Sequence, residues 1–135
     1  MSFELISKAD KSTFSFTGSG WTFCLILSEQ YGWECEGTTH PVVIDGWHGR
    51  YDSSEEQVVS QNDALNLGKA IECALTSDSL ENNCRKVADF IDEEVRKALG
   101  EISDAARIKI SINEEFLEYY KSFSEFCSKG EFSIT

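Results

Sequence analysis

The sequence predicts an α+β fold: a single compact, mostly helical domain of about four helices, with short strands or hairpins near the N-terminus, in the centre and over residues 107–112. Apolar residues recur at helical spacing through most of the second half, while short runs near both ends and in the middle alternate as strands do. Glycines and small polar residues stand at the junctions between these runs. With 135 residues and no repeat, low-complexity tract or linker, residues 1–135 read as one domain around one core.

In chain order, Phe3, Leu5 and Ile6, then Phe14 and Phe16, alternate with polar residues, and Lys8 to Ser12 form the turn between them. The stretch from Gly18 to Thr38 holds two of the three tryptophans and is the centre of the fold. Ser19 is the expected cap of a helix that runs to about Tyr31, where Gly32 stops it. Its apolar residues lie on nearly every side, so it must be covered on most faces. Trp21 and Trp33 flank it. A buried indole N–H needs an acceptor, and each is expected to find a backbone carbonyl.

Residues 36–41 read as a loop, Val42 to Asp45 as a strand, Gly46 to Gly49 as a turn, and Tyr51 with Val58 and Val59 as a return strand. Ser60 and Asp63 resemble a capping arrangement for a helix buried along Ala64, Leu67, Ile71, Ala74 and Leu75. Thr76 to Asp78 break that helix and cap the next. Its inner stripe is Leu80, Cys84, Val87, Ala88, Ile91, Val95 and Leu99. Outside it carries Glu81/Arg85, Asp92/Arg96 and Glu93/Lys97, each in the favourable i, i+4 order. Ile108, Ile110 and Ile112 alternate as a strand. Asn113 caps a last helix with Phe116, Tyr120, Phe123 and Cys127 inside, and Phe132 and Ile134 alternate beyond Gly130.

The formal charge is −12, from 24 acidic against 12 basic residues. Such a surface repels phosphate backbones, so nucleic acid is not an expected partner; a basic protein is. The longest apolar run, Phe23 to Leu27, is far too short for a bilayer, and no secretory leader is visible, so no membrane role is expected. Five scattered cysteines without a C-x-x-C spacing point to reduced thiols and a cytoplasmic location.

Chemistry is sparse. His40 and His48 are the two histidines, and no spacing demands that either meet Cys24 or Cys35 as base and nucleophile. Paired metal ligands, calcium loops, phosphate loops and dinucleotide fingerprints are missing, so neither metal nor cofactor is expected and no catalytic residue is assigned. Binding is the better prospect. Trp47, His48, Arg50 and Tyr51 crowd one turn with the residue types favoured at interface hot spots. The structural reading is that Trp47 and Tyr51 plug onto the central helix. Asp89, Asp92 and Glu93 offer a second surface for a basic partner. The expected function is therefore a non-enzymatic acidic protein-binding domain, of antitoxin or immunity type. The alternative is a small-molecule-binding or enzymatic domain using the Trp47–Tyr51 turn and His48. A homo-oligomer through the aromatic C-terminal helix is a further expectation.

Gly20-Trp21, Tyr31-Gly32-Trp33, Gly37-Thr38, Gly49-Arg50-Tyr51, Gln57 with Val59, Asp63-Ala64, Phe126-Cys127, Gly130, Phe132 and Ile134 form a pattern. It resembles a family of small bacterial proteins that carry no known activity. The sequence departs from that pattern at Glu56 and Glu131, where glycine is usual, and at Cys35-Glu36, which lacks a proline. The resemblance implies a bacterial origin and one stable fold. It implies no site.

Overall fold

A computed structural model describes residues 2–37, 51, 57–100 and 111–135. Among the described residues, four helices accompany a four-stranded antiparallel sheet, the α+β architecture the sequence predicts. The elements are β1 (Ser2–Ser7), β2 (Thr13–Thr17), α1 (Gly18–Gln30), β3 (Gln57–Val59), α2 (Gln61–Leu75), α3 (Leu80–Leu99), α4 (Glu114–Cys127) and β4 (Phe132–Ile134). The strand order is β2-β1-β4-β3, with α1 in contact with the sheet and α3 packed on α1.

The alternation in β1 and β2 produces the predicted hairpin, with Phe3 opposite Phe16 and Leu5 opposite Phe14. Strand geometry sends successive side chains to opposite faces. Phe3, Leu5, Phe16, Val59, Phe132 and Ile134 are thus buried on one side, while Glu4 and Ser15 face away from it. In the turn, Asp10 accepts from the Ser12 hydroxyl and backbone N–H and pairs with Lys129 at 2.9 Å. Those bonds hold its carboxyl well below the usual carboxylate range. The described partner of β3 is β4, with Val59 opposite Phe132. The predicted strand 42–45 and the part of 107–112 up to Ile110 lie outside the described residues; Ser111 and Ile112 carry no strand.

α1 is capped by Thr17, whose Oγ1 accepts from the Gly20 N–H at 3.0 Å, and not by Ser19. Thr17 is the last extended residue (φ −70°, ψ 163°), the conformation from which a side chain typically caps a helix; Ser19 already sits in the first turn. At the other end Gly32 takes φ 92°, its N–H donates to Glu29 O and the Trp33 N–H to Ser28 O. This paired closure needs a left-handed residue, and glycine takes that conformation without Cβ strain. α1 touches β1, β2, α2 and α3, as its all-round apolar surface requires.

α2 and α4 pack closely because Gly68 lets them. A Cβ there would lie 3.0 Å from the Cys127 Cβ and 3.2 Å from the Ser124 carbonyl oxygen. The Ser124 hydroxyl donates to the Gly68 carbonyl at 3.0 Å across the same contact. Asn113 caps α4 as predicted, accepting from the Phe116 N–H at 2.9 Å. α3 departs from expectation in three ways. Its cap is Ser79, which makes no side-chain bond, while Ser77 Oγ accepts from the Ser79 N–H. Arg96 pairs with Glu93 and Lys97 with Glu94, one residue closer than the predicted i, i+4 partners; of these three pairs on α3, Arg85–Glu81 keeps the predicted spacing. Positions three and four apart are both neighbours on a helix, so exposed flexible side chains choose either. The buried stripe also stops early, since Val95 is half-buried and Leu99 is 75% exposed.

Candidate functional site

The polar centre of the molecule grows from Asp63, three residues into α2 past its cap. Ser60 Oγ accepts from the Asp63 N–H at 3.1 Å, the predicted half of the capping arrangement. An acidic residue at this position ordinarily serves the helix start from the surface. Here the side chain turns inward and is wholly buried. Its carboxylate accepts from the Tyr51 hydroxyl at 2.6 Å and from the Glu36 backbone N–H at 3.0 and 3.2 Å, and the Cys35 thiol lies 3.8 Å from Oδ2. A buried carboxylate is tolerated when donors surround it, and charge-assisted bonds are the strong ones.

The two tryptophans find the backbone carbonyls that burial demands. Trp33 Nε1 donates to the Asp63 carbonyl at 3.2 Å, and Trp21 Nε1 to the Tyr51 carbonyl at 2.5 Å. The Trp33 and Tyr51 rings stack, with centroids 6.2 Å apart. One continuous set of bonds therefore joins both ends of α1 to the start of α2 through Tyr51. Glu36 and Tyr51, on either side of residues 38–50, are fastened to the same carboxylate.

This environment sets the chemistry of the nearby groups. Burial pushes the Cys35 thiol up to about 11; a bond from the Gly37 backbone opposes the rise and the Asp63 charge adds to it. Burial, then the Asp63 bond and charge, drives the Tyr51 phenol far above its ordinary value. Cys24 and Cys127 are also raised by burial, and Cys84 rises to about 11 for the same reason. These thiols stay protonated at neutral pH, the opposite of an activated nucleophile. All five cysteines are thiols rather than disulfides.

Two clefts meet at Trp33 and Cys35. One, of about 530 Å³, is polar and runs between the loop after α1 and α2, past Glu34, Glu36, Asn66 and Lys69. The other, of about 320 Å³, is a mostly apolar groove between α1 and α3, lined by Leu25, Ile26, Glu29, Tyr51 and Phe90. Among the described residues no three His, Cys, Asp or Glu side chains are grouped to hold a metal ion, and no helix is long and apolar enough to cross a membrane.

No protein-family model, curated protein or solved structure matches the chain. The geometry is thus the ground for a functional reading.

Of the residues singled out from the sequence, Trp47, His48 and Arg50 lie outside the described residues. The expected plugging of Trp47 therefore also lies outside them, whereas Tyr51 is 1% exposed and accepts from Trp21 of α1 through its carbonyl, so it is not an exposed binding residue. Its hydroxyl is engaged by Asp63, so what it offers the groove is a wall. Asp89 and Glu93 are exposed on α3, Asp92 is half-buried, and Glu93 is bonded to Arg96 at 3.0 Å. Asp63, Glu29 and Phe90 were not among the candidates. Asp63 looks like any first-turn acid, because nothing local distinguishes a carboxylate that turns inward. Phe90 left a signal: it is a large aromatic off the inner stripe of α3, between Asp89 and Ile91.

Proposed function

We propose that the chain is a non-enzymatic, cytoplasmic protein-binding domain that occludes a basic protein partner, an antitoxin- or immunity-type role. The surface charge carries this reading. The formal charge is −12, and α4 alone presents Glu114, Glu115, Glu118 and Glu125 against Lys121. A field of that sign accelerates encounter with a basic protein and repels acidic ones and nucleic acid. The protonated thiol at the clefts supports binding over nucleophilic chemistry. The bacterial resemblance is compatible with this role and adds no activity to it.

The test is capture of partners by the tagged chain from its host at low and at moderate salt, followed by reconstitution with the purified partner. A stoichiometric basic protein is expected, with affinity that falls as salt rises and on reversing Asp89 and Glu93 to lysine. A bait that retains no basic protein at low salt removes the reading.

A further inference from the structure

Phe90 is a large apolar side chain left 53% exposed, on the α3 wall of the groove between α1 and α3. Opposite it, Leu25, Ile26 and Glu29 share one side of α1, three and four residues apart. Trp33 and Tyr51 close the floor, held by the Asp63 bonds, so the groove is built on rigid elements. The Glu29 carboxylate at the rim has no hydrogen-bond or ion-pair partner among the described residues. An exposed aromatic beside an apolar slot, with a carboxylate at its edge that no described residue pairs, has a defined complement. It fits an apolar side chain with a cation next to it.

We propose that this groove is the docking point for a short basic segment of a protein partner, which seats an aromatic or large aliphatic side chain against Phe90 and Ile26 and pairs an adjacent Lys or Arg with Glu29. This rests on the reading of a basic partner and adds where and by what chemistry it is held. Exposed aromatics in apolar pockets are the usual centres of binding energy, with charge at the rim setting rate and choice of partner. A second copy is a poor occupant, because a chain of formal charge −12 repels itself.

The test selects displayed random short peptides on the immobilised full-length chain at low salt, then measures the enriched peptides against variants. The expected consensus places Phe, Trp, Leu or Met within a residue or two of Lys or Arg. Phe90→Ala should weaken binding about tenfold or more, and Glu29→Gln about threefold with a shallower salt dependence. Both substituted side chains are exposed, and an unchanged thermal midpoint would show that the variants fold. Glu4→Gln, on the opposite face of the sheet, should bind as the parent does. If enriched basic peptides bind Phe90→Ala and Glu29→Gln at full affinity, the groove assignment is overturned while a basic partner stands. If selection enriches no basic peptides, both fall. Sedimentation of the chain alone as a dimer that Phe90→Ala dissolves would overturn the proposal in favour of a second copy.

Discussion

The two ends of α1 are anchored by different physics. At its start, Trp21 sits in an aromatic cluster with Phe3, Phe16 and Phe123, ring centroids 5.2 to 6.3 Å apart. Phe14 and Phe126 extend the cluster, and Tyr119 from α4 closes it while donating to the Ser15 carbonyl of the outer strand β2. Past its end, Trp33 and Tyr51 stack over a wholly buried carboxylate. The first region depends on volume, which many side chains supply. The second depends on donors meeting one acceptor, which hardly any substitution reproduces. An aromatic cluster sets how much the fold is worth, whereas the Asp63 centre sets which arrangement of loop and helices it adopts.

The contrast can be broken by comparing truncation with isosteric change at each end. The largest effect belongs to Phe123→Ala, wholly buried among rings, with an expected loss of about 3–5 kcal/mol in denaturant unfolding. Phe123→Leu should recover most of it, because the neighbouring rings can close around a similar volume. Asp63→Asn keeps the volume yet puts an amide donor among donors, and should still cost roughly 2–3 kcal/mol. Should Asp63→Asn prove milder than Phe123→Leu, the distinction between the two ends fails.

Tyr51→Phe sharpens it further. The loss of the 2.6 Å bond should cost about 1.5–3 kcal/mol. Combined with Asp63→Asn, the pair should be strongly non-additive, since both changes act on the same phenol–carboxylate bond. Additive costs would mean that the phenol and carboxylate stabilise the fold independently.

The smallest effect is kinetic. With the Cys35 thiol held at about 11, its alkylation by iodoacetamide should still climb about tenfold per pH unit between roughly pH 8 and pH 10, tracking the thiolate fraction. Asp63→Asn removes one of the charges that raise it and should move the profile to lower pH. A Cys35 profile that levels off near pH 8 would contradict the described environment.

Much of the architecture was legible because its cues are local. The hairpin follows from the alternation of Phe3, Leu5, Phe14 and Phe16, the end of α1 from Gly32, and the start of α4 from Asn113. Even the need of Trp21 and Trp33 for carbonyl acceptors follows from burial alone. Which carbonyls they reach does not, since Tyr51 and Asp63 each lie 30 residues from the indole they serve. The site was hidden for the same reason. Asp63 has a sufficient local role as a helix-start acid, and that role masks its tertiary one. The resemblance pattern contains Trp21, Trp33, Tyr51 and Asp63 as separate fragments, and the fold brings all four into one bonded set. Ion-pair choice on α3 was illegible because two spacings on an exposed helix differ by only a few tenths of a kcal/mol.

The central place of β1 in the sheet has a consequence for how the protein is made. Its two neighbours are β2, which follows within a few residues, and β4, which pairs Leu5 with Ile134. At ribosomal rates of 5–20 residues per second, the aromatic hairpin waits on the order of ten seconds before its second neighbour has been synthesised. For that interval one edge of β1 is open, beside side chains that the helices have not yet covered. Nascent chains in this window would be the ones most in need of a chaperone, and slowing translation near residue 130 would lengthen their exposure.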